Sequence, residues 1–259
     1  MGLTGKTALI GGSTQGIGLA AAQALAAFGA RCILISRNES KLQAALNTLN
    51  TENNQKHSYL IADYAYPEQV REAVSGFLKQ NTIDILINNT GGPAGGPIIE
   101  ADEDAFLKTF QQHLICNHIL AKLVVPGMKT VGYGRIINVI STSVKVPLKN
   151  LGVSNTIRGA VASWAKTLAN ELGQFGITVN NVLPGATSTE RLSTIISNNA
   201  AKTGKSSEEI EKQMLAEVPA RRFGKPEEIA AAIAFLASPA ASYINGVSLP
   251  VDGGRTGSI

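Results

Sequence analysis

The sequence predicts an α/β fold: a doubly wound parallel sheet with helices on both faces. Three observations carry that prediction. Short β-rich runs alternate with longer helical patterns along the chain, which implies βαβ units joined by right-handed crossovers. The runs are continuously apolar, as strands covered on both faces must be. The first run passes through a glycine-rich turn, GGSTQGIG (11–18), straight into a helix. That arrangement holds a pyrophosphate against free helix N–H groups.

In order, the expected strands are KTALIGG (6–12), RCILIS (31–36), HSYLIA (57–62), IDILINN (83–89), RIINVIS (135–141), ITVNNVL (177–183) and GVSLPV (246–251). Helical patterns fill the gaps: GLAAAQALAAFGA (18–30), ESKLQAALNTLN (39–50), and the stretches 102–129 and 153–175. One segment breaks the alternation. After the sixth strand, RLSTIISNNAAKTGKSSEEIEKQMLAEV (191–218) is long and polar. It should lie over the carboxyl edge of the sheet, where ligands bind in doubly wound folds. It reads as a substrate lid over about 190–218, with a plain surface excursion as the alternative. No linker, composition shift or repeat divides the 259 residues, so one domain, 1–259, is expected.

Composition narrows the function classes. Apolar residues make up 44% and aromatics 5%, which suits a core of Ala, Ile, Leu and Val between helices and sheet. The net charge of +4 is scattered with no basic stripe, so no nucleic-acid partner is expected. A mild positive balance suits an anionic small ligand or an acidic carrier. Cys32 and Cys116 form no CxxC pair; they read as buried free thiols in a reducing cytosol. The start MGLTGKTALIGG lacks a signal-peptide apolar region, and Lys6 breaks the myristoylation pattern. No apolar stretch reads as long enough to span a bilayer. A cytoplasmic protein with no membrane partner and no metal site is the expectation.

The glycine-rich turn offers Gly12, Ser13, Thr14, Gly16, Ile17 and Gly18 as cofactor-binding residues, spaced G-x-x-x-G-x-G. Two further turns join it: NNTG (88–91) after the fourth strand and PGATST (184–189) after the sixth. With the ending FGKPEEIAAAIAFLASPAASYINGVSLPVDGG (223–254), these resemble the short-chain dehydrogenase/reductase family over essentially the whole chain. The similarity is greatest to its 3-oxoacyl-[acyl carrier protein] reductase-like branch. The resemblance implies a single Rossmann-type domain with a seven-stranded sheet, a nicotinamide cofactor and a homotetramer. It adds Asn89, Thr90, Gly91, Pro184, Gly185, Thr187 and Thr189 to the cofactor residues.

The second strand ends in Ser36-Arg37. Relatives preferring NAD carry an acidic residue at the Ser36 position to hold the ribose 2′-hydroxyl. Here nothing repels a 2′-phosphate and Arg37 can fork onto it, so NADP(H) is the expected cofactor; a solvated surface cation is the plain alternative. Asp63 sits where the family contacts adenine, or else caps the helix near Pro67.

The family's chemistry uses an Asn, a Ser, and a Tyr and Lys spaced Y-x-x-x-K. Ungapped counting from NNTG and GRIINVIS puts His113, Ser141, Ser154 and Arg158 at those positions. Only Ser141 keeps the family residue. A tyrosine starts from a pKa of about 10, whereas an unassisted serine hydroxyl lies nearer water at about 15.7. Closing that gap asks about 10 kcal/mol of one cation, more than a partly solvated guanidinium supplies. Ser154 is therefore a poor acid, able only to pass a proton along a hydroxyl–water chain. Arg158 cannot release a proton, but it can hydrogen-bond the nicotinamide ribose. Ser141 can polarise a carbonyl. His113 is either a relocated acid titrating near 6.5 or a helix histidine satisfied by packing. Lys145 and Lys149 follow Ser141 as pocket or solvated lysines. None of the five tyrosines stands where it could substitute.

The expected function is an NADP(H)-dependent oxidoreductase with an atypical proton relay, acting on a small-molecule carbonyl or acyl-carrier-linked substrate. The alternative is a catalytically inactive NADP(H)-binding sensor or oligomer partner.

Overall fold

In the computed structural model, which describes residues 1–258, all seven expected strands form: β1 (Thr7–Gly11), β2 (Arg31–Ser36), β3 (Ser58–Ile61), β4 (Ile85–Asn88), β5 (Gly134–Val139), β6 (Ile177–Pro184) and β7 (Ser248–Val251). They pair in parallel in the order β3-β2-β1-β4-β5-β6-β7. Chain direction across the sheet reverses between β1 and β4, so a crevice opens at their carboxyl ends.

Adjacent strand residues feed opposite cores, which explains the continuous apolar runs. Ala8 and Ile10 pack with Leu25 and Ala26 of α1 (Gly16–Ala27), Leu42 of α2 (Glu39–Leu46) and Ile233 of a late helix. Leu9, between them, joins Val70 and Val74 of α3 (Pro67–Leu78) on the other face. Leu9 and Ile10 are both fully buried, each worth about 2 kcal/mol by area bookkeeping.

The helical pattern at 102–129 becomes one continuous helix with a π-turn in it. α4 (Glu103–Phe110) runs through Gln111–Ile115, a π-helical turn, into α5 (Cys116–Val131). By length and composition the run Glu103–Val131 could cross a bilayer, which corrects the expectation that no stretch is long enough. Its apolar side, with Cys116, Leu120, Val124 and Met128, is instead packed into the sheet's second core. α6 (Gly152–Leu172) lies on the same face through Ala165, Ala169 and Leu172.

The segment 191–218 forms two helices, α7 (Glu190–Thr203) and α8 (Ser207–Ala216). Thr189 caps α7 by accepting from the Leu192 N–H, and Ser206 with Glu209 makes a capping box for α8. Each helix has one buried residue, Leu192 and Ile210, so the pair is lightly anchored. α9 (Pro226–Ala237) then returns beneath the sheet and supplies Ile233.

A polar seam crosses the sheet in strict register. Asn88 Nδ2 donates to Asn138 Oδ1 at 2.8 Å, and Asn138 Nδ2 donates to Asn181 Oδ1 at 2.9 Å. Asn181 Nδ2 in turn donates to Ser248 Oγ at 3.1 Å. These residues face one another pairwise along β4, β5, β6 and β7. Buried amides must be paired, and any slip in register would break the series.

Candidate active site

The carboxyl ends of β1, β4, β5 and β6 each end in a turn that contributes to the crevice. After β1, α1 begins with no side-chain cap and no acidic residue in its first turn. Its first N–H groups and helix dipole are left for an anion. A Cβ on Gly18 would collide with the Gly12 carbonyl and Asn89 Nδ2, so only glycine lets the helix start this close to the strand. Ser13 is fully buried with its Oγ unpartnered, and Thr14 follows half-buried in the turn. Ile17 packs against the core. An uncapped helix start with an orphaned hydroxyl beside it suits a bound phosphate.

The β4 turn is tied to this cradle. Asn89 Nδ2 donates to the Gly11 carbonyl at 3.1 Å and lies 3.4 Å from that of Gly12. The β6 turn closes from the other side. Gly185 N–H donates to the Val251 carbonyl, Thr187 Oγ1 to the Gly185 carbonyl, and Thr189 Oγ1 to the Thr187 carbonyl. Thr189 abuts Gly16, and Gln15 Nε2 donates to Glu190 Oε2 at 2.8 Å. The residues around Pro184 thereby join α7 to the glycine-rich turn.

At the far end of β2, Ser36 leaves no carboxylate. Arg37 Nη1 reaches Asp63 Oδ2 at 3.4 Å with three quarters of the arginine side chain exposed. A pair this open contributes about 0–1 kcal/mol, so the guanidinium exchanges partners at little cost. Asp63 does not cap α3: its Oδ1 accepts from the Ala65 N–H, and Tyr66 holds the cap position with no side-chain bond. That removes the capping alternative.

On the opposite side stand the four residues counted to the chemical positions. Ser141 Oγ accepts from the Ser143 N–H at 3.1 Å, leaving its own proton free to donate. Ser154 and Arg158 are buried on α6. Arg158 Nε donates to Ser154 Oγ at 3.2 Å, and Nη1 donates to the carbonyls of Val139 and Ile140 at 3.1 and 2.8 Å. These bonds tie α6 to the end of β5, one residue before Ser141. Burial, with Arg191 nearby, pulls the Arg158 pKa down to about 10; it remains a cation at neutral pH.

His113 lies in the π-turn. Its Nε2 is 3.0 Å from the Gly91 carbonyl, and Nδ1 is 2.8 Å from Thr90 Oγ1. A carbonyl only accepts, so Nε2 carries the hydrogen and Nδ1 accepts from the threonine. Burial, then Arg158, lowers its pKa to about 3. With both nitrogens engaged and the cation disfavoured, the packing reading of His113 fits this geometry better than the relocated acid. It holds the NNTG turn to the helix. Lys145 and Lys149 are exposed. The tyrosines are elsewhere: Tyr64 is half-buried with its hydroxyl against Gly11, Tyr59 bonds Glu39, Tyr133 bonds the Ala237 carbonyl, and Tyr66 and Tyr243 are exposed.

Sequence reasoning missed Arg191. From the first turn of α7 it donates through Nη1 to the Gly92 carbonyl at 2.8 Å and through Nη2 to that of Pro93 at 3.1 Å. Its place two residues after PGATST was the available signal, masked by the polarity of the segment around it.

An anion cradle at the switch point of a doubly wound sheet, faced by a hydroxyl and guanidinium cluster, defines a nucleotide-binding α/β protein of the Rossmann type. The chain belongs to the short-chain dehydrogenase/reductase family: residues 12–256 match the family model described as enoyl-(acyl carrier protein) reductase. It is 35% identical to the 3-oxoacyl-[acyl-carrier-protein] reductase of Vibrio cholerae, over 98% of each chain. It is 30% identical to gluconate 5-dehydrogenase of Gluconobacter oxydans, over 99% of this chain and 97% of that one. Among solved structures it superposes on L-sorbose reductase from Gluconobacter frateurii, complexed with NADPH and L-sorbose. The TM-score is 0.93 at 31% identity, covering 100% of this chain and 99% of the other.

Proposed function

We propose that this protein is an NADP(H)-dependent oxidoreductase interconverting a carbonyl compound and its alcohol, with the proton carried by hydroxyls and water. The observation behind this reading is one crevice holding both an uncapped, orphan-lined phosphate cradle and the free proton of Ser141. The cradle residues would hold the pyrophosphate, Arg37 the 2′-phosphate, and Arg158 the nicotinamide ribose. The bound nicotinamide supplies or takes up hydride. Ser141 donates its proton toward the carbonyl oxygen and polarises it. Ser154, whose Oγ already accepts from Arg158, has a proton to pass to water. In this reading Ser154 and Arg158 stand where relatives keep a tyrosine and a lysine, so turnover is slower than in those relatives by part of the 10²–10⁴ that acid–base help typically provides.

The same reading extends to the lid and the assembly. α7 and α8 cover the substrate, which is small or carried on an acyl carrier. Two copies pair through the exposed Leu107, Phe110 and Val131 of the long helix, and two such pairs form a homotetramer. Buried Cys32 and Cys116, with thiol pKa values pushed up to about 12 by burial, are suited to a cytoplasmic setting. The test is a titration with NADPH and NADH, followed by NADPH oxidation across aldehydes, keto esters and ketoses. NADPH binding with turnover of any of these is expected. Binding without turnover in either direction would favour the sensor reading, and no NADPH binding would reject both.

A further inference from the structure

Arg158 and Arg191 meet at Gly92. A Cβ on that glycine would lie 2.5 Å from Arg191 Nη2 and 3.4 Å from Arg158 Nη2. Both guanidinium ends therefore crowd the same face of the turn after β4. Arg158 is 8% exposed, and its Nη2 makes no hydrogen bond among the described residues. Neither arginine has a carboxylate within ion-pair distance among the described residues. Glu190, the acidic neighbour of Arg191, is turned away to Gln15.

Two guanidinium groups thus converge without a carboxylate partner of their own, beside a helix N-terminus that Thr189 already caps and whose first turn carries Glu190. Backbone carbonyls from Val139, Ile140, Gly92 and Pro93 offset part of the charge. A buried cation without a paired anion still carries a desolvation cost that carbonyl dipoles repay incompletely. A carboxylate or phosphate accepts bidentate bonds from guanidinium groups and would supply the missing charge.

We propose that Arg158 and Arg191 form an anion subsite next to Ser141, so that the carbonyl substrate itself carries a carboxylate or phosphate group. The proposal rests on the reductase reading for the carbonyl, and on these two arginines alone for the anion. Arg158 sits at the floor of the subsite, with one Nη2 hydrogen for the anion and the other left for the nicotinamide ribose. Arg191, exposed at the mouth, closes over the bound group from the lid.

The test is calorimetric binding of two matched pairs of probes, with and without NADPH: acetoacetate against methyl acetoacetate, and dihydroxyacetone phosphate against dihydroxyacetone. At least one anionic probe should bind ten times or more tightly than its neutral partner, and which pair shows it separates carboxylate from phosphate. Arg191→Gln, at an exposed position that leaves the core intact, should reduce that advantage below threefold. Equal binding within both pairs, no binding of any probe, or an advantage that survives Arg191→Gln would overturn the subsite. So would a tenfold loss of NADPH affinity in Arg191→Gln with the probe ratio unchanged, which would give Arg191 to the cofactor. A wild-type protein that keeps the anion preference but binds no NADPH would refute the reductase reading and leave the subsite standing.

Discussion

Arg158 Nε donates to Ser154 Oγ at 3.2 Å, one helical turn back along α6, and this bond separates what the two residues can do. The serine accepts from a permanent cation, which keeps its oxygen engaged and its proton available. The arginine spends two of its three nitrogens on structure and offers only Nη2 to a ligand.

Arg158→Ala is expected to lower both stability and NADPH affinity. It leaves the Val139 and Ile140 carbonyls unpaired in a buried site, at about 1–3 kcal/mol each. Ser154→Ala should lower stability by about 1–3 kcal/mol, because the buried Arg158 Nε loses its acceptor, but leave NADPH affinity unchanged and lower turnover less than about fivefold. A loss in Ser154→Ala approaching the 10²-fold of a true general acid would make the serine the proton donor.

Restoring the pair as Ser154→Tyr with Arg158→Lys should raise reduction of methyl acetoacetate by about tenfold or more, the low end of acid–base assistance. Both changes are needed, because a guanidinium does not lower a phenol's pKa as a lysine ammonium beside it does. A double variant that binds NADPH normally yet reduces no carbonyl compound would place the lost activity in the pocket and not in the acid.

Cofactor choice is expected to rest on Arg37. Arg37→Ala should weaken NADPH by more than tenfold, about 1.4 kcal/mol, and leave NADH nearly unchanged. The competing pair with Asp63 is exposed and too weak to hold the arginine back. Equal affinity of the unmodified protein for the two cofactors would remove the argument.

His113 makes stability depend on pH in a stated direction. Its folded pKa of about 3 lies below the ordinary 6.5, so in that window the unfolded chain binds a proton that the folded one does not. Its contribution is fully present above about 6.5 and is lost as pH falls from there through about 3, with a slope of at most about 1.4 kcal/mol per unit. Urea unfolding at a series of pH values should show this slope. His113→Asn, which offers an amide donor and a carbonyl acceptor to the same partners, should flatten it; identical slopes in the two proteins would contradict the assignment.

Asn138 is fully buried between Asn88 and Asn181. Asn138→Ala strands one amide donor and one amide oxygen, so a cost of about 2–4 kcal/mol is expected, read as a shift in the urea midpoint. Cofactor affinity should hold, because the seam lies below the crevice. A shift under about 0.5 kcal/mol would mean that water replaces the missing amide.

The sequence by itself determined the seven strands, their parallel pairing and the three turns at the crevice. Each is written in a local pattern: apolar runs of strand length, glycines where backbones touch, and small polar residues after strand ends. Its reading of NADP(H) also needed only the two residues ending β2. The chemistry at Ser154 and Arg158 was legible as residue types, since a serine and an arginine cannot become a phenol and an ammonium in any fold.

What tertiary structure decided are the pairings between distant residues. Arg191 and Gly92 are 99 positions apart, and only the sheet order brings the turns after β4 and β6 to one opening. The same order lines up Asn88, Asn138 and Asn181, which look like scattered strand polars in the sequence. His113 could be an acid or a packing residue until its two nitrogens found Thr90 and Gly91, because a histidine's pKa is set by burial and partners and not by its neighbours in the chain. The unbroken helix from Glu103 to Val131 shows the converse case. Its composition permits a membrane, and the apolar face of the sheet beside it is what puts it in the core.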